Sequence, residues 1–319
     1  MLSAECFLLL NFPDMPDAQR PRTLLWILIG GGAFFLFTLL IFSLLYFSAR
    51  GNSSSEFDLG GGEKIAVIDV DGVILQAKPF VDQLKRYTDD SSIKAIILRI
   101  DSPGGGAAAS QEMYDAVKRV RDQKKKMIVA SIQTVGASGA YYIASGANKI
   151  YANRASIVGS IGVIAEWVNY GDLLRWAKLK EVIFTAGALK DAGDPARDMT
   201  PAEQQYLQSL VNEMYGQFVH DVADGRKLKV EDVRNMASGR VWTDEEAIGL
   251  KLIDQIGGFQ TAVDETAKAV GIKGEPSLVH PEEKKRTLFD ILFGDASQLL
   301  PAQARMLQTN NPGFFYLWR

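Results

Sequence analysis

One stretch of this chain narrows its possible structures more than any other: 25 consecutive residues, Thr23 to Phe47, carry no charge. As a helix rising 1.5 Å per residue, such a run is roughly 37 Å long, which exceeds the ~30 Å hydrocarbon core of a lipid bilayer. Trp26 and Tyr46 lie near its two ends, where interfacial aromatic side chains are typical. The run predicts one transmembrane helix over residues 23–47. A buried core helix is the alternative, and the uncharged length disfavours it.

The charges on either side of this run predict its orientation. Arg20 and Arg22 precede it and Arg50 follows it, so the positive excess lies on the amino-terminal side. Because Lys and Arg are retained on the cytoplasmic side, residues 1–22 are predicted to form a short cytoplasmic segment. The Gly- and Ser-rich residues 48–62 then predict a flexible linker, and the rest of the chain is expected outside the cytoplasm.

The composition excludes several classes of function. The chain has 319 residues and a formal net charge of −3, so its bulk charge does not favour nucleic acid as a partner. Cys6 is the single cysteine in the sequence, which rules out an intrachain disulfide and a cysteine-rich zinc site. With 47% hydrophobic residues, the chain is long enough to bury a sizeable core.

Beyond the linker, apolar runs of strand length alternate with segments of helical character. This alternation is typical of successive βαβ units and predicts an α/β domain with a mostly parallel sheet over residues 63–271. The capping-box pattern Thr-Pro-Ala-Glu at 200–203 predicts the start of a long helix, and residues 243–246 repeat it. Residues 272–319 form a tail whose fold the sequence does not indicate. The predicted strands are 64–75, 93–100, 127–131, 149–153 and 181–185, and the predicted helices include 79–87, 110–123, 140–147, 171–179, 200–223 and 260–269.

Ser138 lies at a predicted strand-to-helix corner, between the apolar strand at 127–131 and the small-residue helix at 140–147. At such a corner the free backbone N–H groups of the helix start favour a developing negative charge, which an attacking serine requires. The flanking residues, in the order Gly-Ala-Ser-Gly-Ala, resemble the G-x-S-x-G pattern with Ala140 in the last position. A Gly/Ala/Ser corner without chemistry is the alternative, and it is common.

A second glycine turn, Asp101 to Gly106, follows the apolar strand at 93–100. In a parallel sheet both turns leave the carboxyl edge, where ligands bind, so the two can meet. The backbone N–H groups of Gly105 and of the Ser138 corner are therefore predicted to form an oxyanion hole. A phosphate cradle is the other use of such a turn, but the sequence lacks the G-x-x-x-x-G-K-[ST] pattern.

A serine nucleophile needs a base, and the two histidines are poor candidates. His220 lies on the predicted long helix among apolar neighbours, and His280 lies in the tail. Lys190 is the other candidate, because it follows the strand predicted at 181–185 and the Ala-Gly-Ala-Leu segment before it contains no acidic residue that would hold it protonated. Burial would lower the pKa of this lysine and let it accept a proton near neutral pH. From the residues alone, however, a surface lysine at a strand end is the better supported interpretation.

Five motifs occur in one order along the chain: D-S-P-G-G-G, A-S-G-A-Y-Y-I-A-S, A-N-R-A-S-I-V-G-S-I-G-V, A-G-A-L-K-D and S-G-R-V-W-T. Together with the preceding apolar run, residues 64–270 resemble the signal peptide peptidase A family of membrane-anchored serine proteases. The resemblance implies a ClpP/crotonase-like fold and a Ser–Lys dyad, with Ser138 as nucleophile and Lys190 as general base. It also implies that Gly105 and the Ser138 backbone amide stabilise the oxyanion, and that Ser160 orients the lysine.

The same resemblance implies how such a chain would work. The dyad would be completed between neighbouring subunits of a homo-oligomer, without metal or cofactor, in a bacterial inner membrane with the catalytic domain outside the cytoplasm. Its substrates would be cleaved signal peptides or other hydrophobic peptides. Two alternatives remain open: the same chemistry acting on other membrane proteins, and a catalytically silent scaffold on this fold. An acyl-CoA enzyme of the crotonase type shares the fold but has no use for a membrane span or a Ser–Lys pair.

Overall fold

The computed structural model divides the chain into two compact units, residues 1–59 and 60–319. In the first unit, residues Arg22–Arg50 form helix α1. The residues that the structure describes are 22–50, 63–123, 125–280 and 313–318.

Helix α1 exposes large apolar side chains. Its side chains are described for residues 29–43, and Phe42, for example, is 72% exposed. Nowhere among the described residues does a helix have both the length and the apolar character to cross a membrane. The predicted span at 23–47 begins and ends beyond the described side chains of α1, so it stays a prediction.

The second unit alternates strands with helices. Its described strands are β1 (Lys64–Ile74), β2 (Ile93–Gly106), β3 (Met127–Ala137), β4 (Lys149–Ala152), β5 (Ile157–Gly159), β6 (Ile164–Glu166), β7 (Val241–Trp242), β8 (Gln255–Ile256), β9 (Ser277–Val279) and β10 (Gly313–Leu317). Its described helices are α2 (Lys78–Asp89), α3 (Ala107–Asp122), α4 (Gly139–Ser145), α5 (Gly171–Trp176), α6 (Pro201–Arg226), α7 (Val230–Met236), α8 (Asp244–Gly249) and α9 (Phe259–Ala269).

The ten described strands form one sheet, in which β1, β2, β3 and β4 lie side by side in chain order and run parallel. β9 pairs in parallel with β1, and β8 pairs in parallel with β4. β5 runs parallel to the end of β3 and pairs antiparallel with β7. The prediction of an α/β domain with a mostly parallel sheet is therefore confirmed.

Both faces of the sheet are buried, which explains why its central strands are nearly all apolar. Successive side chains of β2 point to opposite faces. Ile97 belongs to a cluster that contains Val263 of α9, whereas Ile96 belongs to the larger cluster that contains Tyr114 of α3 and Phe218 of α6. The middle of β2 is thereby packed between helices on both faces, and the carboxyl ends of β2 and β3 extend from this core to the site described below.

The capping box predicted at the start of α6 is confirmed. The Thr200 hydroxyl accepts a hydrogen bond from the Glu203 amide, and the Glu203 carboxylate accepts one from the Thr200 amide. The second capping box, predicted at residues 243–246, does not form. α8 does follow Thr243, but that side chain makes no capping hydrogen bond. Glu246, which would have completed the box, lies 3.4 Å from Arg240 instead.

One predicted strand is also wrong. Residues 181–185 pair with no strand in the described part of the chain, and the side chain of Phe184 is 95% exposed. The prediction rested on an apolar run, but such a run becomes a buried strand only where a neighbouring strand supplies backbone hydrogen bonds. As a result, Lys190 follows an exposed segment rather than a buried strand.

Two strands come from the segment beyond Gly271, whose fold the sequence did not indicate. β9 extends the sheet beside β1. β10 lies antiparallel between β6 and the carboxyl end of β2. The last strand of the chain therefore reaches the edge of the sheet at which the glycine turn of β2 and the Ser138 corner lie.

Candidate active site

Ser138 occupies the sharp corner between β3 and α4, as predicted. β3 ends at Ala137 and α4 begins at Gly139, so a single residue makes the turn. The backbone angles of Ser138, φ 53° and ψ −118°, lie where residues other than glycine are rarely found. Only 1% of the residue is exposed. A backbone strained in this way costs about 1–3 kcal/mol and persists only where the surrounding structure holds it.

Two backbone hydrogen bonds hold this corner. The amide of Ser138 donates to the carbonyl oxygen of Gly159 at 2.7 Å, and the amide of Tyr142 donates to the carbonyl oxygen of Ser138 at 2.8 Å. Gly159 ends β5 and lies opposite Ala137 of β3. The first bond corrects the prediction that the Ser138 amide serves in the oxyanion hole, because the Gly159 carbonyl already accepts from it.

The next amide along the chain is better placed. Gly139 is the first residue of α4, and the first N–H groups of a helix have no partner within that helix. A Cβ built on Gly104 would lie 2.6 Å from the Gly139 nitrogen, so this amide lies against the glycine turn that ends β2. The sequence contained a signal for this arrangement, because in G-x-S-x-G corners the residue after the serine supplies an oxyanion donor.

The two turns that were predicted to meet at the carboxyl edge of the sheet do meet. The carboxylate of Asp101 accepts a 3.0 Å hydrogen bond from the amide of Val135, which joins the end of β2 to the end of β3. Ser102 lies opposite Gly136 in the same pair of strands. These contacts bring the glycine turn of β2 beside the Ser138 corner.

Gly104 and Gly105 allow close contacts within this turn. Gly104 has φ +97°, a left-handed conformation that favours glycine, and a Cβ on it would overlap the carbonyl oxygen of Tyr316. Gly105, the predicted oxyanion donor, lies in the sheet between Ile74 of β1 and Tyr316 of β10. A Cβ on Gly105 would overlap the backbone of Ile74. Any larger residue at either position would therefore displace a neighbouring strand.

Ser138 and Ser160 line the same cavity, which has a volume of about 490 Å³. Ser160 has φ +51°, and its amide donates to the carbonyl oxygen of Arg240 at 2.9 Å. Part of the remaining wall is apolar and includes Val163 and Val211. The structure thus brings together the serine predicted as nucleophile and the serine predicted to orient the lysine.

Lys190 is not among the residues that line this cavity. It lies on an exposed turn, in which its amide donates to the carbonyl oxygen of Gly187 at 3.1 Å. Within one chain, therefore, the described residues place the predicted general base outside the cavity that contains Ser138 and Ser160. The pairing of Lys190 with Ser138 stays a prediction that a second copy of the chain would have to fulfil.

The two histidines do not line the cavity either. His220 projects from α6 into solvent, and its Nδ1 lies 3.7 Å from a carboxylate oxygen of Asp221. His280 is also exposed. Each histidine is therefore an exposed residue outside the cavity that contains Ser138 and Ser160.

A charged cluster holds the segment that follows Lys190. Arg197 donates to the carboxylate of Asp191 at 2.9 Å and to the two carboxylate oxygens of Glu203 at 2.5 and 2.9 Å. The amide of Thr200 also donates to Glu203, at 2.7 Å. The hydrogen bond from Arg197, followed by that from Thr200, holds the pKa of Glu203 at about 2. The turn that carries Lys190 is thereby attached to the start of α6.

Aromatic residues support the Ser138 corner from the core side. The ring of Tyr142 stacks on Phe218 of α6 with 4.5 Å between centroids and lies 4.8 Å from the ring of Tyr114 of α3. The Tyr142 hydroxyl donates to the carboxylate of Asp221. Burial, and then this hydrogen bond, raise the pKa of Tyr142, so the phenol stays neutral. α4 is thus fixed to α3 and α6, which keeps Ser138 in its strained conformation.

These features define a class of protein: α/β enzymes whose cleft lies at the carboxyl edge of a mostly parallel sheet, with a serine on a strand-to-helix corner. The sequence model of Peptidase family S49 matches residues 120–273, which include Ser138, Ser160 and Lys190. The chain belongs to this family and is therefore a protease. The resemblance identified from the five motifs is confirmed.

Three relatives show the extent of the similarity. A candidate protease of Synechocystis sp. is 37% identical over 238 residues, which cover 74% of this chain and 85% of that protein. A candidate signal peptide peptidase SppA of Enterococcus faecium is 32% identical over 222 residues, or 65% of this chain and 63% of that protein. The chloroplastic serine protease SPPA of Arabidopsis thaliana is 29% identical over 257 residues, which cover 76% of this chain but 38% of that protein.

Proposed function

We propose that this protein is a membrane-anchored serine endopeptidase with Ser138 as nucleophile and Lys190 as general base. The observation that carries the proposal is the conformation of Ser138, a buried residue held at φ 53° on a strand-to-helix corner. Backbone strain at a residue other than glycine is concentrated at functional sites, where it holds a reactive group in position. Membership of a protease family and the similarity to a serine protease of Arabidopsis support the same chemistry.

The proposed reaction proceeds through an acyl-enzyme. The neutral amine of Lys190 removes the proton from the Oγ of Ser138, which attacks the carbonyl carbon of a peptide bond. Backbone N–H groups, for which we propose Gly139 and Gly105, stabilise the charge that develops on the carbonyl oxygen. The leaving amine takes up the proton, and water then hydrolyses the ester at Ser138. The hydroxyl of Ser160 holds Lys190 in position. No metal or cofactor enters these steps.

We further propose that the dyad is completed between two copies of the chain. Two observations support this: Lys190 lies outside the cavity of its own chain, and the segment before it exposes large apolar side chains that include Val168, Trp176 and Phe184. Exposed apolar surfaces of this kind mark contacts with other molecules. A neighbouring copy that covered this segment would receive Lys190 beside its own Ser138. Such an arrangement suits the ClpP/crotonase-like fold that the motifs imply.

The proposal also includes a membrane anchor and a class of substrate. Helix α1 exposes a series of apolar side chains from Phe34 to Phe42 and supports an anchor in a bacterial inner membrane, with the second unit outside the cytoplasm. The partly apolar wall of the Ser138 cavity suits hydrophobic peptides, and the relative from Enterococcus is named for signal peptides. We therefore propose cleaved signal peptides as substrates.

Labelling with a serine-reactive fluorophosphonate tests the serine and the lysine. The parent protein, in detergent as the full chain, should be labelled at Ser138. Labelling should be lost in Ser138→Ala, Lys190→Ala and Lys190→Arg, because a guanidinium stays protonated and cannot act as a base. Ser209→Ala on α6 and Lys85→Ala on α2 are matched controls at exposed positions and should be labelled like the parent.

Two results would contradict the proposal. Full labelling of folded Lys190→Arg would exclude Lys190 as the base. A parent protein that is labelled but does not hydrolyse signal peptides, while it cleaves other membrane proteins, would keep the chemistry and replace the substrate.

A reporter fused within residues 51–62 should be found outside the cytoplasm, and a cytoplasmic reporter would reverse the proposed orientation.

A further inference from the structure

Arg197 binds the chain at the residue that directly follows Lys190. Its Nη2 donates to a carboxylate oxygen of Asp191 at 2.9 Å and to the backbone carbonyl oxygen of the same residue at 3.2 Å. The second of these hydrogen bonds holds the backbone as well as a side chain. Arg197 therefore fixes the main chain one residue beyond the proposed general base.

The same guanidinium is held by a buried carboxylate at the start of α6. Arg197 donates to both carboxylate oxygens of Glu203, at 2.5 and 2.9 Å, a bidentate geometry that a single ammonium group cannot reproduce. The Glu203 side chain is 5% exposed, and it completes the capping box with Thr200. Arg197 thus connects the Lys190 turn to a carboxylate whose own position is fixed.

The turn needs such a connection because its other hydrogen bonds are local. The amide of Lys190 donates to Gly187, and the amide of Ala192 donates to Leu189. Bonds that span three residues define the shape of a turn but not its position in the domain. Residues 181–190 are all exposed, so burial in the core does not position them either.

Helix α6 relates this turn to the Ser138 corner. Phe218 of α6 stacks on Tyr142 of α4, and α4 begins immediately after Ser138. Glu203 and Phe218 lie 15 positions apart on α6, which is roughly 22 Å along a helix that rises 1.5 Å per residue. α6 therefore keeps its attachment to the Lys190 turn and its attachment to α4 at a fixed distance from each other.

We propose that Arg197 is a positioning residue for the general base: it fastens the Lys190 turn to α6, so that the lysine is presented to Ser138 of a neighbouring copy. Arg197 does not line the cavity that contains Ser138, and it acts through the backbone of Asp191. The inference rests on the proposed function for the role of Lys190. It adds that Arg197 is required in the copy that supplies the lysine and not in the copy that supplies the serine.

Arg197→Gln in the full chain should slow fluorophosphonate labelling of Ser138 by at least about tenfold, because a displacement of about 1 Å can cost about 100-fold in rate. Arg197→Lys keeps the charge but not the planar fork, so its rate should lie between those of Arg197→Gln and the parent. Lys118→Gln is the matched control. Lys118 of α3 lies 3.1 Å from the carboxylate of Asp224, so this variant also removes an ion pair that attaches α6 to another element. It should be labelled like the parent.

Mixed oligomers separate positioning from a general effect on folding. Chains with Ser138→Ala supply only the lysine, and chains with Lys190→Ala supply only the serine. Arg197→Gln added to the first kind should lower the labelling rate of the mixture by at least about tenfold. The same substitution added to the second kind should leave the rate unchanged, which also shows that the substituted chain folds and assembles.

Hydrogen exchange provides a readout that does not depend on serine chemistry. In Arg197→Gln, the amides of residues 190–194 should exchange at least about tenfold faster than in the parent, measured by mass spectrometry on peptides that cover this turn. Lys118→Gln should leave their exchange unchanged. The amides of α4 should exchange at the parent rate in both variants, because Tyr142 and Phe218 still hold that helix.

The outcomes separate this inference from the proposed function. If folded Arg197→Gln is labelled at the parent rate, or if the substitution slows the mixture equally from either chain, the inference is overturned. Unchanged exchange in residues 190–194 also overturns it. If exchange increases there as expected but the parent is never labelled at Ser138, the attachment of the turn by Arg197 is supported and the serine chemistry fails.

Discussion

The amide nitrogen of Ser138 lies 2.7 Å from the carbonyl oxygen of Gly159, and this hydrogen bond couples the predicted nucleophile to the turn that carries Ser160. The bond spans the ends of β3 and β5, which run parallel at this point. It explains why a buried serine can keep a positive φ, and it withdraws the Ser138 amide from oxyanion binding. The geometry of the site therefore depends on a residue that carries no side chain.

Gly159→Ala should damage the site through the backbone. Gly159 has φ +95°, and a Cβ there would lie 2.8 Å from Cδ1 of Trp242, so alanine would be strained and crowded. We expect a loss of about 1–3 kcal/mol in the free energy of unfolding, together with slower fluorophosphonate labelling of Ser138. Gly216→Ala on α6 is the matched control, since no atom lies within 4 Å of its added Cβ. That control should gain about 0.5–1 kcal/mol. Equal behaviour of the two variants in urea unfolding would contradict the role of Gly159.

Ser138→Gly should be more stable than Ser138→Ala, although both should be inactive. Alanine keeps a Cβ at φ 53°, whereas glycine adopts this conformation without steric cost. We expect a difference of about 1 kcal/mol in the free energy of unfolding, measured in denaturant at equilibrium. If the alanine variant were the more stable of the two, the corner would not be strained at this residue.

Mixing two inactive variants should restore activity. If the lysine of one copy serves the serine of another, co-assembled Ser138→Ala and Lys190→Ala chains will form sites that contain both intact residues. Each variant alone should show no labelling, and the mixture, after the oligomers exchange subunits, should regain part of the parent rate. The label should be found only on the chain that keeps Ser138.

A mixture that stays inactive although mass analysis shows mixed oligomers would place the dyad within one chain. The control is a mixture of Ser138→Ala with the double variant that lacks both residues. It contains Lys190 but no Ser138, so it must remain inactive.

Acid should weaken the fold through Glu203. Its pKa is held at about 2, below the ordinary value of 4.5, mainly by the hydrogen bond from Arg197. A depressed carboxylate pKa stabilises the folded state fully above pH 4.5, and that contribution is lost as the pH falls from 4.5 through 2. The unfolding temperature of the parent should therefore drop more steeply across this window than that of Glu203→Gln.

Glu213→Gln is the matched control for this experiment, because Glu213 is an exposed carboxylate on the same helix. It should follow the parent curve. If Glu203→Gln and the parent lost stability in parallel between pH 4.5 and 2, the ion pair with Arg197 would not contribute to the folded state.

Much of the domain could be predicted because its signals are local. The apolar runs at β1, β2 and β3, the capping box at Thr200 and the small residues around Ser138 lie within a few residues of the structures that they specify. The strand predicted at 181–185 was wrong for the same reason, because its signal was also local. An apolar run resembles a buried strand whether or not another strand lies beside it, and residues 181–185 have no such neighbour in the described part of the chain.

The sequence by itself determined the α/β class, the strand-to-helix corner at Ser138 and the meeting of two glycine turns, because short-range periodicity and turn chemistry carry that information. Only the tertiary structure decided that the Gly159 carbonyl accepts the hydrogen bond of the Ser138 amide, that Lys190 lies outside the cavity of its own chain, and that β10 lies between β6 and the end of β2. These features depend on backbone hydrogen bonds and contacts between distant segments. Every residue except proline has the same backbone donor and acceptor, so no pattern of side chains records which of them will pair.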